Sequence, residues 1–128
     1  MQINTRLTRD VAIIEPKGRI TVETERQFTE AVFALIETGQ RRLVLDLVDV
    51  PYIDSVGLGA IVQAYTSTRR RGGDLKFLHV THRNRQLLVT TKLLTVFETY
   101  DTMDELERSF EGAVPEPSGS QFLVVELP

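Results

Sequence analysis

The chain has 128 residues, the size of one domain, and its hydrophobic (41%) and charged (26%) fractions are those of an ordinary globular protein. It contains no cysteine, which excludes disulfides, thiolate metal sites and cysteine nucleophiles, and which suits a reducing, cytoplasmic setting. The net charge of −3 gives no reason to expect nucleic acid as the main partner. We expect no signal peptide, because no apolar run follows the first residues, and no membrane span, because no stretch approaches the roughly 20 apolar residues that cross a bilayer.

The first part of the chain predicts a hairpin, a helix and a buried strand. Residues 3–7 and 11–14 are β-prone and separated by a short polar turn, which is typical of an antiparallel hairpin. Thr24 and Gln27 fit a capping box, and apolar residues then recur at helical spacing. Residues 43–48 are apolar on both faces, as in a strand that helices cover on both sides.

Strands and helices continue to alternate along the rest of the chain. Alternation predicts right-handed crossovers and a mostly parallel sheet, which the opening hairpin makes mixed. We therefore expect an α/β fold with about four helices in a single domain over residues 1–111. The further predicted elements are a helix from Ser55 to about Arg71, a strand over 75–80, a short helix around 86–88, an edge strand over 96–100 and a helix opened by a Thr102–Glu105 capping box.

The C-terminal residues differ in composition from the domain. Residues 112–120 contain two prolines, two glycines and two serines, which is typical of a linker. Residues 121–128 are apolar and β-prone, and a free segment of that kind tends to aggregate. We expect this tail to dock on an exposed sheet edge, in this molecule or in a neighbour, and the second arrangement would make a homo-oligomer.

One serine stands where a buried strand has ended and a helix begins. Ser55 is an N-cap candidate, because its hydroxyl can accept a hydrogen bond from the first turn. A helix N-terminus also stabilises a phosphate, so Ser55 is equally a candidate phosphorylation site. Gly57 and Gly59 are poor helix formers, and two of them in the first turn indicate that something approaches the backbone closely. The residues alone leave both interpretations of Ser55 open.

The stretch from Asp54 to Gly59 resembles the STAS family, and specifically the bacterial anti-sigma-factor antagonists. The strand that precedes it, the Gly18-Arg19-Ile20 segment and the Gly72-Gly73 pair support the resemblance, which covers about residues 5–111. The resemblance implies a protein that catalyses nothing and needs no cofactor. It also implies that the unphosphorylated form binds an anti-sigma factor with serine-kinase activity, and that phosphorylation of Ser55 ends this binding.

The resemblance also implies a partner-binding surface and a cycle of modification. A phosphatase would restore the unphosphorylated form. Many antagonists carry an aspartate where this chain has Thr21, and Glu23 is a candidate substitute. The alternative is a scaffold or accessory subunit of a stress-sensing or transporter complex, in which the serine region is an interface without a switch. The residues expected to contact the partner are Thr21, Asp54, Ser55, Val56, Gly57 and Leu58.

A hydrolytic role for Ser55 is disfavoured. The nucleophile elbow requires Gly-x-Ser-x-Gly, and Ile53 occupies the first glycine position. A base would also be needed, and the chain's two histidines, His79 and His82, follow the next strand. We expect both to be surface or second-layer residues.

Two sets of charged residues, three aspartates and three arginines, also have competing interpretations. Asp46, Asp49 and Asp54 could form a metal or phospho-acceptor site, but the favoured interpretation is that Asp46 and Asp49 bind backbone N–H groups in their loop. The three arginines 69–71 could bind phosphate or nucleic acid. In the last turn of a helix they already gain from the helix dipole, so a structural role is favoured.

Overall fold

Five strands form one mixed sheet in the computed structural model, which describes residues 1–8 and 10–112. The strands lie in the order β1-β2-β3-β4-β5, with β1 antiparallel to β2 and every other neighbouring pair parallel. This confirms the predicted α/β fold, the opening hairpin and the four helices. In chain order the elements are β1 (Gln2–Thr8), β2 (Val11–Lys17), α1 (Glu25–Glu37), β3 (Arg42–Asp46), α2 (Ser55–Arg70), β4 (Asp74–Leu78), α3 (His82–Thr90), β5 (Thr99–Tyr100) and α4 (Met103–Gly112).

Helices α1, α2 and α3 cover one face of the sheet. Each of these helices connects one strand to the parallel strand beside it in the sheet. Because the three crossovers are right-handed and proceed across the sheet in one direction, their helices lie on the same side. The main core lies between these helices and the sheet. Its fully buried members include Phe28 of α1, Leu45 of β3, Ile61 of α2 and Phe77 of β4, and the Phe77 ring stacks on Phe97 with 4.5 Å between centroids.

Helix α4 packs alone on the opposite face. Leu106 and Phe110 join a second, smaller core with Val44 and residues of β2 and β4. The buried Lys76 lies under this helix, where it donates to Ser109 Oγ at 2.8 Å and pairs with Glu98 at 3.0 Å. A charged group can stay buried here because it has these partners.

The last turn of α4 lies against the β1–β2 hairpin. Asp10, Val11, Arg42, Phe110 and Glu111 line one cavity at this point. On its outer side, β1 pairs with no other strand among residues 1–8 and 10–112. The predicted tail and all of the linker after Gly112 lie outside the described residues.

Two local predictions are wrong. Thr24 does precede α1, but its hydroxyl makes no cap; it donates to Arg19 O at 2.7 Å and accepts from Thr21 N–H. The edge strand is also shorter than predicted, because the N–H groups of Val96 and Phe97 both bind Leu93 O in a turn. In contrast, Thr102 does cap α4 by accepting from the Glu105 N–H at 3.2 Å.

No helix in the described part of the chain is both long enough and apolar enough to cross a bilayer.

Candidate functional site

Two loops at the carboxyl ends of β2 and β3 are joined by backbone hydrogen bonds. The β2–α1 loop comprises residues 18–24 and the β3–α2 loop comprises residues 47–54. Ile20 and Ile53 form an isolated parallel bridge, in which the Ile20 N–H donates to Tyr52 O and the Asp54 N–H donates to Ile20 O. The loop around Thr21 and the turn before α2, which sequence reasoning assigned to one surface, are therefore neighbours in space.

Asp54, and not Ser55, is the N-cap of α2. Its backbone is extended, and its carboxylate accepts from the Gly57 N–H at 2.7 Å. The other carboxylate oxygen accepts from the Val22 N–H at 3.1 Å, so Asp54 also ties the second loop to the helix. The expectation that Ser55 caps the helix is wrong, because a carboxylate one residue earlier takes the orphan donor.

The charge of Asp54 is stabilised by these contacts. The Gly57 N–H lowers the pKa of the Asp54 carboxyl most, against the opposing effect of partial burial, and the Val22 N–H and the Arg19 charge lower it further. The carboxylate therefore stays ionised beside Ser55. This placement leaves the Ser55 side chain exposed in the first turn of α2, with its hydroxyl free of any cap role.

The close backbone approach predicted from the two glycines is present at only one of them. A Cβ on Gly57 would meet the carbonyl group of Ile20, which the loop pairing holds in place. A Cβ on Gly59 would meet nothing within 4 Å, because that position faces outward. Gly57 is therefore required for the packing of the two loops, whereas Gly59 leaves a bare patch on the exposed side of α2.

The six residues predicted to bind a partner differ in exposure. Ser55 and Val56 are exposed and Asp54 is half-buried, whereas Thr21, Gly57 and Leu58 are buried. The Thr21 hydroxyl accepts from the Glu23 N–H at 3.4 Å, which turns it toward its own loop. The buried three shape the surface from beneath, and their role in binding stays a prediction.

Sequence reasoning missed two apolar side chains of this surface. Val22 is 64% exposed and Tyr52 is 37% exposed, and with Val56 they place apolar area around Ser55. Apolar residues at loop positions, where polar residues are usual, were the available signal. Grouped apolar side chains of this kind mark contact sites for other proteins.

Helix α3 completes the site from a third element. The buried Asn84 donates from Nδ2 to Val50 O at 2.9 Å, which fastens the helix to the β3–α2 loop. This contact brings Arg83 over the Tyr52 ring, with the guanidinium carbon 5.2 Å from the ring centroid. A cavity of about 350 Å³ opens between α2 and α3, lined by Ser55 and Leu58 on one side and by Arg83 and Leu87 on the other. We call it the Ser55 cavity.

The other acidic residues do not assemble with Asp54. Asp46 accepts from the Val48 N–H, as expected, and also lies 3.1 Å from His79 Nδ1. Within residues 1–8 and 10–112 the Asp49 carboxylate accepts from no backbone N–H but pairs with Lys17 at 3.0 Å, and this hydrogen bond raises the pKa of Lys17. Within residues 1–8 and 10–112 no cluster of three or more histidine, aspartate or glutamate side chains could hold a metal ion.

The remaining candidates keep structural contacts. Neither histidine lines the Ser55 cavity: His79 lies 3.1 Å from Asp46, and His82 is exposed at the start of α3. Arg69, in the last turn of α2, contacts Asp74 at 3.4 Å and lies over the Tyr65 ring.

Comparison with known proteins agrees with the fold. A protein of Thermotoga neapolitana, described provisionally as an anti-sigma factor antagonist, is 30% identical over 108 residues, which are 84% of this chain and 96% of that protein. The crystal structure of a Thermotoga maritima protein with the same provisional description has a TM-score of 0.81 at 27% identity, covering 85% of this chain and 94% of that one.

A more distant structure shares the fold alone. The anti-sigma factor antagonist SpoIIAA from Bacillus, in its unphosphorylated form, has a TM-score of 0.66 at 15% identity, covering 88% of this chain and 100% of that one. SpoIIAA is also known in its phosphorylated form. The family model described as the STAS domain matches residues 2–106, and the chain belongs to the STAS domain family.

Proposed function

We propose that this protein is an anti-sigma-factor antagonist controlled by phosphorylation at Ser55. Its unphosphorylated form binds an anti-sigma factor that is also a serine kinase, which frees the sigma factor for transcription in the cytoplasm. The domain itself catalyses nothing and needs no cofactor. Its similarity to relatives described as antagonists supports the general role.

One observation supports the control of binding by phosphorylation at Ser55. Ser55 is exposed in the first turn of α2, on a surface that also exposes Val22, Tyr52 and Val56. A hydroxyl in the middle of an apolar contact surface is the place where a phosphate disrupts binding most. The modification adds about −1.5 to −2 charges, and covering them with the apolar surface of a partner removes their water at a cost of several kcal/mol.

The phosphoryl transfer uses groups of the partner. The Ser55 hydroxyl oxygen attacks the γ-phosphorus of ATP held by the kinase, the bond to the β,γ-bridging oxygen breaks, and ADP leaves. Asp54 is committed to two backbone N–H groups, and Thr21 has no carboxylate to offer. The base that takes the hydroxyl proton is then a group of the kinase or the exposed carboxylate of Glu23 in the β2–α1 loop. Hydrolysis by a phosphatase returns the antagonist to its binding form.

The test compares Ser55→Ala and Ser55→Asp with wild type. Because Ser55 is not the cap, both variants should unfold within about 0.5 kcal/mol of wild type, as exposed substitutions usually do. Ser55→Ala should bind the anti-sigma factor normally and resist inactivation by kinase and ATP. Ser55→Asp should bind at least tenfold more weakly, a change of about 1.4 kcal/mol.

Two results decide against the proposal. Peptide mapping could place the phosphate on another residue, such as the half-buried Ser67, while Ser55 stays unmodified. Alternatively, the authentically phosphorylated protein could bind its partner as tightly as wild type. Binding without any effect of phosphate would assign the chain to the non-switching scaffolds or accessory subunits.

A further inference from the structure

Two arginines beside the Ser55 cavity have no carboxylate partner. Arg19 and Arg83 are exposed, and neither forms an ion pair with another residue in the described part of the chain. Both guanidinium groups lie over the same aromatic ring, that of Tyr52, at 5.6 and 5.2 Å from its centroid. Stacking of this kind holds a long side chain in place at low cost in entropy while its N–H donors remain available.

The two arginines have different electrostatic settings. Arg19 acts on Asp54, because its positive charge contributes to the ionised state of that carboxyl. Arg83 belongs to a separate element, α3, and lines the Ser55 cavity on the side opposite Ser55 and Leu58. It also lines a second, shallower cavity together with Arg19 and Tyr52. Arg83 is therefore the cation that lines the same open cavity as the Ser55 side chain.

A phosphate on Ser55 would need such a cation. One of the free N–H groups in the first turn of α2 is already used, since Asp54 accepts from the Gly57 N–H at 2.7 Å. The same carboxylate places a full negative charge one residue from the phosphate. The usual stabilisation of phosphate by a helix N-terminus is consequently weakened here, and a guanidinium is the group best suited to replace it by bidentate hydrogen bonds.

We propose that Arg83 is the residue that binds the phosphate of phosphoserine 55, across the cavity between α2 and α3. This inference rests on the proposed modification of Ser55 and adds how the modified state is built. The phosphate lies in the Ser55 cavity, its charge is met by the Arg83 guanidinium, and Tyr52 keeps that guanidinium in position. The cavity is then filled and closed to any side chain of the partner, while the fold keeps its stability.

The test requires no kinase and no partner. Phosphoserine is installed at position 55 by genetic encoding in four proteins: the otherwise wild-type chain, Arg83→Gln, Arg19→Gln and Arg108→Gln. Arg108→Gln is the matched control, because Arg108 is an exposed arginine of α4 and its loss changes net charge equally on the opposite face of the sheet. The readout is the second ionisation of the phosphate, followed by phosphorus-31 NMR against pH.

The phosphate should titrate differently in Arg83→Gln, a variant of α3, and in Arg108→Gln, a variant of α4. A guanidinium bound to the phosphate favours the dianion and so lowers the pKa of the phosphate below its ordinary value of about 6. In Arg83→Gln the pKa should therefore be higher than in the otherwise wild-type phosphoprotein, by about half a unit or more. Arg108→Gln should titrate with wild type, and Arg19→Gln should show the smaller shift. In the unmutated phosphoprotein the Arg83 Nε–H resonance should also move on phosphorylation, which reports the contact directly.

Equal titration of Arg83→Gln and Arg108→Gln, with an unmoved Arg83 resonance, would overturn the assignment. That outcome leaves the switch itself intact, because the proteins are phosphorylated without the kinase. Conversely, a shifted titration together with a partner that never phosphorylates Ser55 would contradict the proposed function alone. Circular dichroism of each variant shows whether the fold is retained, so that a loss of structure is not read as a loss of phosphate binding.

Discussion

Replacing Gly57 by alanine tests the packing that joins the two loops of the site. The added Cβ would lie 2.6 Å from the carbonyl carbon of Ile20, and still closer to the carbonyl oxygen. Neither atom is the end of a flexible side chain. The Ile20 backbone is held by Tyr52 O and by the Asp54 N–H, so the start of α2 must move away.

The expected cost follows from three contributions. Overpacking a well-packed site costs about 1–3 kcal/mol. Separating the loops weakens one or both of the hydrogen bonds that tie Asp54 to the other loop, at about 1 kcal/mol each. Alanine returns about 1 kcal/mol through its better helix propensity. The net prediction for Gly57→Ala is a loss of about 1–4 kcal/mol in the free energy of unfolding.

Gly59→Ala is the matched control in the same helix. Its Cβ would meet nothing within 4 Å, so only the propensity gain applies and the variant should be stabilised by up to about 1 kcal/mol. Urea unfolding followed by circular dichroism measures both changes, with the slope of each transition showing whether the unfolded surface is unchanged. If Gly57→Ala were as stable as wild type, or if the two variants changed stability alike, the packing argument would be refuted.

Three further predictions concern the carboxylate, helix α3 and the tail. Hydrogen bonds lower the pKa of Asp54 in the folded state, so the carboxylate stabilises the fold fully above its ordinary, unfolded-state pKa, and this contribution is lost as pH falls through the folded-state pKa. In acid titrations of unfolding, Asp54→Asn should therefore lose less stability than wild type below about pH 4. Asn84→Ala leaves the buried Val50 carbonyl without its donor and should destabilise by about 1–3 kcal/mol in thermal melts, whereas the exposed Gln86→Ala should change little. Deleting residues 113–128 should speed amide exchange along β1 and lower solubility or change the oligomeric state, and unaltered exchange in β1 would show that the tail docks elsewhere.

The tail prediction depends on where the described chain ends. Helix α4 finishes beside the β1–β2 hairpin, near Asp10, and β1 has a free outer edge within the described residues. Eight linker residues, 113–120, can span about 26 Å when extended. Strands two positions apart in a sheet are separated by only about 10 Å, so the linker is long enough to cross that distance. Residues 121–127 can thus reach β1 in the same molecule. Amide exchange in the tail as fast as in an unfolded peptide would contradict its pairing.

Much of the fold was determined by local sequence pattern. The helical spacing of apolar residues after Thr24, the doubly apolar strand at 43–48 and the glycine stops each act within one element, so they can be recognised without a partner. Their alternation then fixed the parallel sheet through the handedness of crossovers. The prominence of Ser55 was likewise local, because a serine at the start of a predicted helix, followed by two glycines, stands out from its neighbours.

The details of the site were decided by contacts between distant segments. Sequence could not show that Asp54 takes the cap from Ser55, since Asp54 is fixed there by the Val22 N–H, 32 residues away. Gly57 and Gly59 look equivalent in the chain, and only the Ile20 carbonyl distinguishes them. Arg83 had no motif of its own, and it reaches Tyr52 because Asn84 fastens α3 to the loop of another crossover. Local pattern selects elements through backbone preference and burial, whereas hydrogen bonds and charge contacts across elements exist only once the sheet has brought those elements together.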